Sequence, residues 1–457
     1  MKNTLRLSTL VSLASLVACF DPNEPIVLGG ASDSSGTTSA SETEDGSQSS
    51  SNPTDSTSTS SGPSSATGDT TSADVTGDSS DTSPTSAEST GSADYCGLPE
   101  PTLSFAEPEV YMQGGSAVSI TLADILGSPG PDIIVGDPSE SQLIILENNE
   151  LLADFTVVAT LPLGPDGWLP AVGDLTGNGR PDLAAATGDG VWTWISDGDQ
   201  LSDGQFQTTT HDPTWGTVIA NVGGSAFAEV IVQTNPGEGG RLEVFPGQGG
   251  GVGSTPTVVP GGRRTPRMLA AELDGDGLVD LIVPRTDSEQ ETRIDGMDVL
   301  LSRGNADAFD FEVLSFETGP TPWGIAIGDF NEDSFTDVLV AHQGASPGDG
   351  IVDSVQVWLG DGTGDLAAQP EVDVGDTLGF PAVGDLDCDG HVDAVVASAQ
   401  GVYILRGDGT GALAPAEQLF DAGVTGSVAV GQLDADDRLD VVVGIAPEGR
   451  VEVYYAD

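Results

Sequence analysis

The stretch AVGDLDCDGHVDAVVA, residues 382–397, decides the fold. Ala382 and Val383 begin a short apolar strand, and Asp385, Asp387 and Asp389 then place an acid on every second residue. Gly390 turns the chain, and Asp393 opens a run of Ala and Val. A short Val-rich run bounded by turn residues reads as a buried strand, whereas clustered Asp and Gly read as a loop. The unit is therefore strand, acidic loop, strand.

It recurs as ITLADILGSPGPDIIV from Ile120, AVGDLTGNGRPDLAAA from Ala171, VIANVGGSAFAEVIVQ from Val218 and LAAELDGDGLVDLIVP from Leu269. IAIGDFNEDSFTDVLV follows from Ile325 and AVGQLDADDRLDVVVG from Ala429. The seven loops open at Asp124, Asp174, Asn221, Glu272, Asp329, Asp385 and Gln432, 47 to 57 residues apart. That period suits one four-stranded propeller blade each. A third strand follows in each copy (LIILE, VWTWI, LEVFPG, MDVLLS, VQVWLG, VYILRG, VEVYYA), then a fourth after a Gly/Asp turn. The last copy stops after its third strand. Its missing fourth has a candidate in Phe105 to Val110, because FAEPEV echoes AAQPEV at 367–372. The predicted fold is all-β, a seven-bladed β-propeller closed by an N-terminal strand in blade seven, which removes an open sheet edge.

The loops resemble the FG-GAP/VCBS repeats, the family that includes the integrin α-subunit propeller, over essentially all of 100–457. The D-x-D-x-D-G-x-x-D phrase supplies oxygen ligands at loop positions one, three, five and nine and a carbonyl at seven. A hard cation taking six to eight oxygens suits such a flexible loop, calcium better than magnesium. The candidate ligands are Asp385, Asp387, Asp389 and Asp393, with the His391 carbonyl, in blade six. Blade five offers Asp329, Asn331, Asp333 and Asp337; blade four Glu272, Asp274, Asp276 and Asp280. Blade two offers Asp174, Thr176, Asn178 and Asp182; blade seven Gln432, Asp434, Asp436 and Asp440. Leu126 and Gly223 break the pattern in blades one and three. The competing reading is that these acids only cap turns. The expectation is about three to five structural calcium ions.

The first eighteen residues read as a lipoprotein signal, with Lys2 and Arg6 before an apolar run too short to span a bilayer. Leu16-Val17-Ala18-Cys19 resembles a lipobox, so Cys19 is the expected lipidation site. Residues 19–95, rich in Ser, Thr, Gly and Asp, read as a disordered tether, and 96–457 as the propeller. The expected location is the cell envelope, lipid-anchored, at the outer membrane or cell surface. The formal charge of −59 makes nucleic acid a poor partner. Cys96 and Cys388, the cysteines left after Cys19, are expected to pair low on the molecule.

No catalytic fingerprint occurs, and the mature chain carries three histidines and no lysine. The expectation is a non-enzymatic binding or adhesion module. The alternatives are a structural part of an envelope assembly and a carbohydrate-active enzyme. Acidic loops joining strands one and two share a lower face, so a ligand belongs on the upper one. Trp168, Trp215 and Trp323 each lie six residues before a loop opening, which suits either inter-blade packing or a stacking platform. Arg241, Arg263, Arg264, Arg267, Arg285 and Arg293 cluster in the upper loops of blades three and four. With Trp323 they form a candidate site for an acidic polysaccharide or surface protein, unless nearby Asp287, Glu289 and Glu291 neutralise them.

Overall fold

A computed structural model describes residues 103–457 except 113, 129, 150–153, 165–166, 235–239, 262–266, 287–294, 305–308, 345–351, 423–425 and 437. The signal, Cys19, the tether and Cys96 lie outside the described residues. So do Arg263, Arg264, Arg293 and most of the 2–3 loops of blades four and five.

The chain enters with β1 (Glu109–Met112). Blade one is β2 (Ser119–Ala123), β3 (Asp132–Asp137), β4 (Gln142–Asn148) and β5 (Phe155–Pro162). Blade two is β6 (Pro170–Gly173), β7 (Asp182–Thr187), β8 (Gly190–Trp194) and β9 (Gln205–Thr208). Blade three holds β10 (Pro213–Ala220), β11 (Glu229–Thr234) and β12 (Arg241–Phe245). A small hairpin, β13 (Gly247–Gln248) and β14 (Gly251–Val252), precedes its outer strand β15 (Thr257–Pro260). Blade four is β16 (Leu269–Ala271), β17 (Asp280–Arg285), β18 (Gly296–Ser302) and β19 (Phe311–Glu317). Blade five is β20 (Pro322–Gly328), β21 (Asp337–His342) and β22 (Asp353–Gly360), with β23 (Leu366–Ala368) and β24 (Val372–Gly375) sharing the outer edge. Blade six is β25 (Ala382–Gly384), β26 (Asp393–Ser398), β27 (Gly401–Leu405) and β28 (Glu417–Phe420). Blade seven is β29 (Ser427–Gly431), β30 (Asp440–Ile445) and β31 (Arg450–Tyr454), and β1 is its fourth strand.

The N-terminal closure follows the sequence echo closely. Phe105 bridges Ala456, Pro108 interrupts, and β1 then pairs antiparallel with β31 from Glu109 opposite Val453. Blade five breaks its outer edge in the same way, between β23 and β24 around Pro370. A proline has no N–H for the ladder and is tolerated at an outer strand.

Hydrophobic burial explains the ring. The second strand of every blade except four is buried at each residue, and β17 yields only at Arg285. Such a strand faces a neighbouring blade on both sides, so its second to fourth residues are Val, Ile, Leu or Ala in every blade. Outer strands such as β5 and β19 are mostly exposed or half-buried, because at the rim of the ring less of a neighbouring blade covers their faces. Among the described residues, seven apolar clusters each join two neighbouring blades and run round the ring. They centre on Val135 with Val442, Ile134 with Leu183, Ala184 with Val230, and Ile231 with Leu281. Ile282 with Val338, Leu339 with Val396, and Val395 with Val441 complete the circuit. Close approach needs glycine in places: a β-carbon on Gly136 would fall 1.8 Å from the Trp168 carbonyl oxygen. Among the described residues no helix is long and apolar enough to cross a membrane.

Without β1 the outer edge of β31 is unpaired and Tyr455 loses its contact with Tyr111. A chain shortened to begin at Gly114 should melt at lower temperature than one beginning at Cys96, and should self-associate through the bare edge. Thermal melting and size-exclusion chromatography check this; equal melting of two monomers would show that closure contributes nothing.

Candidate functional site

Position nine of the loop is where the structure departs most from a simple ligand list. Asp132, Asp182, Glu229, Asp280, Asp337, Asp393 and Asp440 each begin the second strand and are 0–1 % exposed. One carboxylate oxygen accepts the N–H of the residue after the loop opening: Ile125, Leu175, Val222, Leu273, Phe330, Leu386 or Leu433, at 2.8–3.1 Å. In six blades the other oxygen accepts an N–H at the end of strand three. The donors are Asn148, Ser196, Ser302, Gly360, Gly407 and Ala456, at 2.7–3.0 Å. In blade three both bonds of Glu229 go to the loop, from Val222 and Gly223. This residue is a clasp between loop and sheet in all seven blades, including the two whose third position offers no ligand.

Positions one and five cap the turn. Asp174 accepts N–H bonds from Thr176, Gly177, Asn178 and Gly179; Glu272 accepts from Asp274, Gly275 and Gly277. Asp329 accepts from Asp333 and Ser334, and Asp385 from Asp389 and Gly390. The fifth residue accepts the N–H two places on in Asn178, Asp276, Asp333, Asp389 and Asp436. Positions four and six are left-handed: Gly177 and Gly179, Gly275 and Gly277, Glu332 and Ser334, Cys388 and Gly390. Blades five and six thus hold non-glycine residues where L side chains are disfavoured, which only a well-anchored loop tolerates. The turn-capping reading is correct as far as it goes.

Two loops go further. Glu272, Asp274 and Asp276 in blade four, and Asp385, Asp387 and Asp393 in blade six, each bring three carboxylate oxygens within 4.8 Å of one another. Among the described residues these are the two such groups, so Asp389 and Asp280 stand apart from them and blades two, five and seven do not gather three acids. Each group has an arginine against its third position. Arg303 donates from Nη1 to Asp274 at 2.6 Å and from Nη2 to Glu312 at 2.7 Å. Arg406 donates from Nε to Asp387 Oδ2 at 2.7 Å and from Nη1 to Glu417 at 2.5 Å. Asp387 Oδ1 is left buried without a hydrogen-bond partner. A buried carboxylate oxygen facing other carboxylates is unfavourable unless a cation meets it, and an all-oxygen donor set is that of a hard cation. The residues of blade six therefore fit calcium. His391 points its ring instead to Glu332 of the blade-five loop.

The upper side is different. Trp168, Leu169 and Phe380 form a buried cluster with Val118 and Trp323 packed on it, and the Trp168 and Phe380 rings are 6.3 Å apart. These residues start blades one, two, five and six, so they meet across the axis and fill the upper mouth of the central tunnel. Trp323 remains half-buried, and the side chain of Trp215 lies outside the described residues. Arg267, at the start of blade four, places its guanidinium carbon 5.6 Å from the Phe380 ring centroid. The predicted arginine patch divides. Arg285 is turned to Asp298 at 3.6 Å and Arg241 is exposed at the start of β12. Phe380 was missed in sequence because its ring partner Trp168 lies on blade two, which is not its neighbour.

An FG-GAP-like repeat family model matches residues 385–443, from the blade-six loop into β30. No curated protein matches the sequence. Among solved structures, BBS1N in complex with ARL6DN is similar at 11% identity and TM-score 0.51, covering 79% of this chain and 98% of that one. An Agrocybe aegerita lectin described as recognising non-reducing terminal N-acetylglucosamine has 16% identity and TM-score 0.47, covering 74% and 85%. A functionally unknown protein from Desulfotomaculum acetoxidans has 12% identity and TM-score 0.45, covering 68% and 87%. At these identities the likeness is one of fold.

Burial pushes Asp280, Asp393 and Asp440 up to about 7 and Asp182 and Asp337 up to about 6. An acid whose pKa is raised on folding holds its proton longer in the folded state, so stability falls as pH rises from about 4 to 7. Glu229 is likewise pushed up to about 7, and His342, buried and held down at about 4, opposes these with one group against six. Chelator-treated protein should therefore melt higher at pH 5 than at pH 7.5. The trend should persist at about 0.5 M salt, which screens surface repulsion but not buried groups. A melting temperature that is level or rises over this range contradicts it.

Proposed function

We propose that this FG-GAP-type β-propeller is a calcium-stabilised binding module, held at the cell envelope by lipidated Cys19 and presenting its upper face to an extracellular ligand. The observation that carries the reading is the blade-six loop, where three carboxylates converge and Asp387 Oδ1 has no protein partner. The residues that would hold the ion there are Asp385, Asp387 and Asp393, with blade four supplying Glu272, Asp274 and Asp276. Bound calcium would supply charge neutralisation to loops that otherwise repel themselves; every ligand comes from a single loop, so the ion's role is structural. Blades two, five and seven, whose acids do not gather in threes among the described residues, would have to draw theirs together to reach the full range of about three to five ions.

No catalytic role is assigned. Among the histidines, His211 is bonded to Glu243 at 2.9 Å, His391 to Glu332, and His342 is 1 % exposed. The rigid ring and its loops suit recognition of a surface protein or acidic glycan, without nucleic acid. The module also includes a bridge between Cys96 and Cys388, tying the start of the propeller to the blade-six loop. Cys388 sits there in a left-handed conformation, at φ 60°.

A ligand that binds only the folded state stabilises it by RT ln(1 + [L]/Kd), about 2.7 kcal/mol at a hundredfold excess over Kd. Excess chelator should lower the melting temperature, calcium should restore it, and magnesium should do so less well. No bound metal by elemental analysis together with an unchanged melt would reject the calcium reading. Thiol titration of the unfolded, unreduced protein should find no free cysteine; two free thiols would reject the bridge.

A further inference from the structure

We infer that the upper mouth of the central tunnel is a subsite for a single carboxylate on an otherwise neutral sugar, with Arg267 as the anion contact and Trp323 as the flat wall beside it. The inference rests on the binding-module reading and gives it a ligand chemistry.

Arg267 is unlike the arginines that bind the chain's own acids. Arg285, Arg303, Arg406 and Arg450 each lie against a carboxylate. Arg267 has no hydrogen bond and no ion pair among the described residues, in a chain of 72 acidic residues. It is not simply waving in solvent, since burial draws its pKa down to about 10 with no acid raising it. A half-enclosed cation without a counter-ion is costly to keep. Its contact with Phe380 offsets part of that cost through the π-face but uses none of the guanidinium N–H donors. Those donors form a planar fork that matches a carboxylate through two parallel bonds.

The surroundings narrow the ligand. Trp168 and Phe380 seal the tunnel beneath, so the ligand is end-on and shallow. Trp323, half-buried on the same cluster, offers one aromatic face for the apolar side of a ring. A net charge of −59 repels a polyanion, and Arg267 neutralises one charge. A uronic acid residue at the end of a mostly neutral glycan meets these conditions; a sulfated polymer does not.

The test is calorimetric titration of the full-length, calcium-loaded protein with methyl glucuronide, methyl glucoside, N-acetylglycine and a sulfated glycan. Glucuronide should bind, weakening with salt, and glucoside should bind at least about tenfold more weakly. Arg267→Gln should lose glucuronide about tenfold or more with the melting temperature unchanged, and Arg267→Lys should fall between, because it keeps the charge but not the fork. Trp323→Ala should weaken glucuronide and leave N-acetylglycine unaffected. Equal binding of glucuronide by wild type and Arg267→Gln, or of glucoside and glucuronide by wild type, overturns the subsite. Tighter binding of N-acetylglycine or the sulfated glycan overturns the sugar assignment. If no monocarboxylate binds while a glycan array or a surface-protein screen still finds a ligand, the subsite falls and the binding module stands. If neither finds any ligand, the binding module falls with it.

Discussion

Everything in this molecule hangs on a buried carboxylate at the first residue of each second strand. A charge at 0–1 % exposure survives only where hydrogen bonds replace water, and here two backbone N–H groups do so in every blade. One bond fixes the loop that leaves strand one, and in six blades the other fixes the end of strand three. Three strands of a blade are thereby held in register by one side chain. Removing it would strand two buried donors, at roughly 1–3 kcal/mol for each. That is why blades one and three keep Asp132 and Glu229 although Leu126 and Gly223 stand where a third ligand would be.

The clasp also explains how acid can be packed so densely on one side of the ring. Once the ninth residue anchors the loop, the first and fifth can turn their oxygens onto the loop's own N–H groups. Left-handed residues at positions four and six make that geometry possible. What remains is like-charge crowding, which is greatest in blades four and six. Arg303 and Arg406 are placed to relieve it, each spanning from the loop to a Glu in the first two residues of the outer strand. The arginine holds one oxygen of Asp387 and leaves the other aimed into the cluster. Orientation and partial neutralisation are thus achieved by the same guanidinium. An ion arriving there would meet a loop already shaped for it.

The blades, their number, their loop positions and the closing strand were legible because each is local. Period, alternation and turn residues lie within one repeat, and the FAEPEV echo needs only two segments to be compared. The double duty of position nine was not legible: an Asp that ligates and an Asp that clasps read alike, and only its persistence in blades one and three hinted at the difference. The tunnel mouth was hidden for another reason. Trp168 and Phe380 are brought together by the curvature of seven blades, a property of the whole ring that no single repeat encodes. The arginines show the same limit. Arg285 and Arg267 read as members of one basic patch, yet Arg285 faces Asp298 while Arg267 faces an aromatic ring.

Those two outcomes follow from where each strand sits. Arg285 ends β17, a second strand, and its neighbour across the ladder is β18, whose Asp298 lies within reach of the guanidinium. Arg267 precedes β16, an innermost strand, and has the axis rather than a strand beside it. Residues at that position meet whatever the opposite blades contribute. In this ring those contributions are Trp168, Phe380 and Trp323, with no acid among them. A propeller places polar ladders at its periphery and one shared space at its centre. Among the described residues, a cation directed to that centre has no carboxylate of its own chain against it, which is the physical condition for it to be available to a carboxylate from outside.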